Sequence, residues 1–96
     1  MRKDEALKIL TEHKPELVKR FGVTDLALFG STARDEAGDD SDLDVMVGFD
    51  GRVTAKRYFG VQFYLEDLLY LEIDLVQKGV VRAELKPYIE RDLIHV

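Results

Sequence analysis

The sequence predicts an α/β layer structure, a small three-stranded sheet covered by helices. Two observations carry this. Three short apolar runs, 24–29, 42–47 and 72–77, each end at a glycine or a glycine-containing turn, as strands do. The stretches around them repeat apolar residues at helical spacing, so the elements alternate helix, strand, helix, strand, helix, strand, helix.

Leu7, Ile9 and Leu10, then Leu17, Val18 and Phe21, stand among Lys, Glu and Arg. Pro15 lacks the N–H a helix interior uses, so the spacing predicts one helix near 3–13 and a second near 15–21 with Pro15 at its first position. Gly22 closes it. Thr24 to Phe29 is a buried strand, and Ser31 to Ala37 a short helix started by Gly30 or Ser31 and stopped by Gly38. Asp39-Asp40-Ser41 is a loop. Asp42-Leu43-Asp44-Val45-Met46-Val47 alternates at its start, as a strand with one solvated end would, and Gly48-Phe49-Asp50-Gly51 turns it. Tyr58 with Gln62 and Phe59 with Phe63 sit four apart on a third helix, Thr54 to about Leu69, whose apolar side adds Ala55, Leu65, Leu68 and Leu69. Glu72 to Gln77 is the third strand. Leu85, Ile89, Leu93 and Ile94 then lie on a last helix from Arg82, which Pro87 starts or kinks.

Composition narrows the function classes. Ninety-six residues allow one domain, 1–96, and leave no second one to hold a substrate. Without cysteine there is no disulfide framework and no thiolate metal site. No apolar run approaches the ~18 residues of a membrane span, and Met1-Arg2-Lys3-Asp4-Glu5 opens no signal peptide, so a cytoplasmic protein with no membrane partner is expected. Nineteen acids against fourteen bases give a net charge of −5, which opposes direct nucleic-acid binding. Asp35, Glu36, Asp39, Asp40, Asp42 and Asp44 crowd into ten residues with Arg34 as the nearby base, a cluster that repels itself unless cations screen it.

Asp42 and Asp44 are two apart on a strand, so both carboxylates project from the same side. Two such anions share a proton or a divalent cation, and hard oxygen ligands on a rigid strand suit Mg²⁺. Asp74 is a third acid in an apolar strand, and if its strand lies beside that of Asp42 the three converge into a site able to hold two ions. Phe29-Gly30-Ser31 adds a strand-to-helix junction where glycine lets a phosphate approach the backbone and the serine hydroxyl donates; Arg34, one turn on, could reach the same phosphates. Each piece alone has a plainer reading. Gly30-Ser31 can be a strand end with an N-cap, the strand aspartates edge charges, Asp74 a salt-bridge acid, and Arg34 a surface partner of Asp35 or Glu36. Asp40-x-Asp42-x-Asp44 is no calcium loop, since Val45 stands at the glycine position and Gly51 at the glutamate position. His13 and His95 have no partner pattern and read as solvated; Phe59, Phe63, Tyr64 and Tyr70 read as core and partial surface.

Together the pieces resemble a known family. Gly30-Ser31, ten residues, then Asp42-Leu43-Asp44 is similar to the G-S-x(10)-D-x-D signature of the polymerase-β-like nucleotidyltransferase superfamily. Gly-Ser-Thr-Ala-Arg (30–34) and Ser-Asp-Leu-Asp (41–44) resemble its minimal nucleotidyltransferase (MNT) branch, as does Glu72-Ile73-Asp74-Leu75-Val76, the branch's third-acid strand. One departure stands out: Tyr70-Leu71 enters that strand without the expected glycine. The resemblance implies a small mixed sheet, Asp42, Asp44 and Asp74 as catalytic residues holding Mg²⁺, and Gly30 and Ser31 on the triphosphate. It implies transfer of AMP from ATP with release of pyrophosphate. It further implies a role like that of MntA-like antitoxins, which pair with a HEPN-domain ribonuclease toxin and in some cases adenylylate its tyrosine. The alternative is a non-catalytic module that neutralises a toxin by complex formation; homo- or hetero-oligomers are open, and modification of a small molecule is disfavoured because no second domain would hold it.

Overall fold

Pro15 does not divide the first helix. The computed structural model describes residues 1–38 and 41–96, and α1 runs unbroken from Lys3 to Phe21. Pro15 and Thr11 are both exposed, so the carbonyl that loses its partner faces water, while Leu10 and Leu17 on the other side are fully buried. Gly22 ends the helix in the left-handed conformation (φ 71°), donating to Val18 O at 3.0 Å. Then follow β1 (Val23–Phe29), α2 (Gly30–Ala33), β2 (Leu43–Phe49), α3 (Ala55–Leu69), β3 (Ile73–Gln77), α4 (Lys86–Asp92) and β4 (Ile94–His95). The expected loop residues Asp39 and Asp40 lie outside the described residues.

The sheet is mixed, but it has four strands where three were expected. Its order is β3-β2-β1-β4, with β2 antiparallel to β1 and parallel to β3, and β4 antiparallel to β1. The fourth strand takes the end of the predicted last helix. That helix starts at Lys86 with Pro87 in its first turn, and Leu93 turns extended (φ −67°, ψ 125°). Ile94 then pairs with Leu28 and packs on the core, and Val96 N–H donates to Leu26 O at 3.0 Å, so the edge of β1 is paired over Leu26 to Leu28. α2 is likewise shorter than the expected 31–37, because Asp35 turns left-handed (φ 60°).

Alternation along the strands makes two unlike faces. Leu26, Leu28, Leu43, Val45, Val47, Ile73 and Leu75 point to one side, where Ala6, Leu10 and Leu17 of α1 and Val61, Leu65 and Leu69 of α3 complete the main core. The other side carries Ala27, Phe29, Met46 and Val76, covered by Ile89 of α4 with Val81 and Leu93. Arg57 ties α3 to the rest. Its guanidinium donates to Phe21 O (2.7 Å), Gly22 O (3.1 Å), Asp50 O (2.8 Å), Arg52 O (2.7 Å) and the Asp50 carboxylate, and stacks over Phe49. His13 is not solvated as expected: it is half-buried, with Nδ1 2.8 Å from Tyr64 Oη. Of the aromatic set, Phe59, Phe63 and Tyr70 are all exposed. No helix among the described residues is long and apolar enough to cross a membrane.

Candidate active site

The acids lie on the thinly covered face. Asp44 is out of phase with Leu43 and Val45, and Asp74 with Ile73 and Leu75, so both leave the main core. The parallel register sets Asp44 directly opposite Asp74, and the antiparallel register sets it opposite Phe29, the residue before Gly30. Strand pairing therefore brings the Gly-Ser junction and two of the three predicted acids to one spot.

Gly30 shows how tight that spot is. Its φ is +73°, and a Cβ there would lie 2.8 Å from Asp44 Cγ and nearer still to Oδ2. Only glycine meets both conditions. Phe29, which precedes the first turn of α2, has no side-chain oxygen to cap that turn's amides; Ser31 is half-buried, Thr32 buried.

Burial raises the Asp44 carboxyl from 3.8 to about 6, helped by a hydrogen bond and the charge of Asp74, then by the charge of Asp42, while Arg34 opposes the rise. Asp44 and Asp74 thus behave as a carboxyl pair. Asp42 precedes β2, is exposed, and is felt at Asp44 as a charge. Among the described residues no three acids gather as a ready cation site, so the expected convergence is realised as a pair with Asp42 beside it. Burial, then the Asp74 charge, raises the Tyr58 phenol, whose hydroxyl donates to the Leu75 carbonyl next to Asp74.

Arg34 is engaged with acids. Its Nε lies 3.0 Å from Glu36 Oε2 and its Nη1 2.5 Å from Asp92 Oδ2, and both hold the guanidinium further toward its charged form. Asp92, whose side chain is only 9 % exposed, is a site neighbour that sequence reasoning missed. Fifty-eight residues separate the pair, and nothing local signals it. Asp35 has a structural task, accepting the Lys3 N–H at 3.0 Å at the start of α1.

A glycine-serine turn set against a carboxyl pair offers amide and hydroxyl donors for an anion beside oxygen donors for a divalent cation. The chain belongs to the nucleotidyltransferase domain family, whose model matches residues 10–95. It is 39 % identical over 93 residues to the protein adenylyltransferase MntA of Thermococcus cleftensis, covering 97 % of this chain and 94 % of that one. A candidate protein adenylyltransferase of Methanocaldococcus jannaschii is 40 % identical over 93 residues, 96 % of this chain and 95 % of the relative. Among solved structures, a candidate minimal nucleotidyltransferase superposes with a TM-score of 0.79 at 33 % identity, covering 98 % of this chain and 95 % of the other. A toxin–antitoxin structure containing AMP-PNP shares the fold, with a TM-score of 0.68 at 18 % identity over 99 % of this chain and 72 % of that one. The protein is a nucleotidyltransferase with an α/β fold.

Proposed function

We propose that this chain is a Mg²⁺-dependent protein adenylyltransferase that moves AMP from ATP to a tyrosine hydroxyl of a HEPN-domain ribonuclease toxin, and so acts as its antitoxin. The observation that carries the reading is the Asp44–Asp74 pair abutting Gly30 in a chain closely similar to a named protein adenylyltransferase. Structures sharing its fold point the same way: one is a toxin–antitoxin structure with AMP-PNP, and another a tri-AMPylated Shewanella oneidensis HEPN toxin in complex with an MNT antitoxin. The reading includes a single working unit, 1–96, in the cytoplasm.

The residues fit a divalent cation. Two hard-oxygen donors face each other on neighbouring strands, and the upward push that burial and Asp74 give the Asp44 carboxyl would be opposed by a dication. Asp44 and Asp74, with Asp42, would hold Mg²⁺, which when bound supplies Lewis-acid polarisation of phosphate oxygens. Gly30 lets the turn pack against the Asp44 carboxylate, and Ser31 would donate to a phosphate through its hydroxyl and amide. Asp74 is the more exposed of the pair and takes the proton as the acceptor oxygen bonds to the α-phosphorus. The bond from that phosphorus to the bridging oxygen breaks, and pyrophosphate leaves. Arg34 sits close enough to lower the Asp44 carboxyl pKa and balances the anionic charge as pyrophosphate forms.

Incubating the chain with α-phosphate-labelled ATP, Mg²⁺ and a HEPN partner tests this. Label on a partner tyrosine, abolished by Asp44→Asn, is the expected result. Neutralisation of the toxin without label would replace transfer by complex formation.

A further inference from the structure

The strand that carries Asp74 has a ladder on one side only. β3 is five residues long and lies at the edge of the sheet, with β2 on one side only. Glu72 O accepts from Leu43 N at 3.0 Å and Lys78 N donates to Val47 O at 2.8 Å, so even-numbered residues bond inward and the carbonyls of Ile73 and Leu75 point outward. Both outward carbonyls meet a side chain of α3. Tyr58 Oη donates to Leu75 O at 2.5 Å, and Gln62 Nε2 lies 3.5 Å from Ile73 O. Tyr58 and Gln62 are one helical turn apart, and their two acceptors bracket Asp74.

We propose that Tyr58 and Gln62 form a clamp that positions Asp74 against Asp44, and that they are positioning residues of the transfer reaction. The inference rests on the reading of Asp74 given under the proposed function. α3 is a firm anchor, with Val61, Leu65 and Leu69 in the main core and Arg57 bonded to the backbone at four points. Asp44 sits on β2, paired on both sides, whereas the backbone at Asp74 has one ladder, the buried side chains of its neighbours Ile73 and Leu75, and this clamp. Losing the clamp frees β3 to shift along or away from β2, and the separation of the two carboxylates changes with it. The same side chains occupy the edge against a foreign strand, which by itself would be a purely protective role.

Tyr58→Phe deletes the hydroxyl, and Gln62→Leu replaces the amide with an apolar group of similar size; both are made in the full chain, singly and together. Backbone amide exchange of the protein without added metal is the first readout. In the double variant the Asp74 and Val76 amides, which bond to β2, exchange about tenfold faster, while those of Leu10 and Leu26 do not change. The second is AMP transfer with saturating Mg²⁺, where kcat falls about tenfold and KM for ATP stays within twofold. Unchanged exchange at Asp74 and Val76, or acceleration spread equally over α1 and β1, overturns the clamp. So does unchanged kcat in a chain whose wild type transfers AMP, since that leaves edge protection alone. A wild type with no transfer counts against the proposed function, and amide exchange then decides the clamp by itself.

Discussion

Gly30→Ala tests the geometry of the site most directly. Two costs are separable. Alanine at φ +73° carries a backbone cost of about 1–2 kcal/mol, and its Cβ would stand 2.8 Å from Asp44 Cγ, so the carboxylate must swing away at a further cost of about 1–3 kcal/mol. Gly51 provides the control: its φ is +60° and a Cβ there meets nothing within 4 Å, so Gly51→Ala bears the backbone cost alone. In a domain of this size each 1 kcal/mol lowers Tm by about 4–8 °C. Gly51→Ala should therefore fall by about 4–16 °C, and Gly30→Ala by a clearly larger amount. Displacement of Asp44 should also reduce AMP transfer at least about a hundredfold, while Gly51→Ala transfers normally. Thermal unfolding and labelled-ATP transfer measure both. Equal Tm losses in the two variants, with transfer retained in Gly30→Ala, would refute the close approach of Gly30 to Asp44.

Three further outcomes are expected. The Asp44 carboxyl titrates at about 6 in the folded chain against 3.8 without the fold, so its favourable contribution is full below 3.8 and is lost as pH rises through 6. The ceiling is about 3 kcal/mol, and screening at a half-open site reduces it to about 1. Thermal midpoints without metal from pH 4 to 8 should show this loss in the wild type relative to Asp44→Asn, and parallel curves would contradict it. Tyr70 is 91 % exposed and left-handed (φ 56°), at the entry to β3 where the family resemblance implies a glycine, so Tyr70→Gly should stabilise by about 0.5–1 kcal/mol in denaturant unfolding. Arg57→Lys keeps the charge but cannot fill five acceptor positions, and should lower unfolding free energy by about 2–3 kcal/mol with KM for ATP unchanged.

Much of the site was legible in the sequence because it is local. Side-chain alternation in a strand predicts Asp42 and Asp44 on one side, and Phe29-Gly30-Ser31 announces a strand meeting a helix. Other features escaped for equally physical reasons. Pro15 reads as a break, yet the buried Leu17 on the inner face and a water-exposed carbonyl on the outer one make an unbroken helix the better packing. Ile94–His95 is too short to show a period, and becomes a strand because β1 offers it a free edge. Tyr70 hides a left-handed turn under a residue type that rarely adopts one.

The sequence by itself determined three of the four strands, the glycine-serine junction and the side on which Asp44 and Asp74 emerge, since these follow from spacing and backbone preference among near neighbours. The tertiary structure alone decided which acids meet. Parallel pairing of β2 with β3 set Asp74 opposite Asp44 and left Asp42 at the margin, and the docking of α4 gave Arg34 its partner Asp92. Such pairings depend on register and on the packing of distant segments, whose energies are shared across the whole core and written in no single stretch of chain.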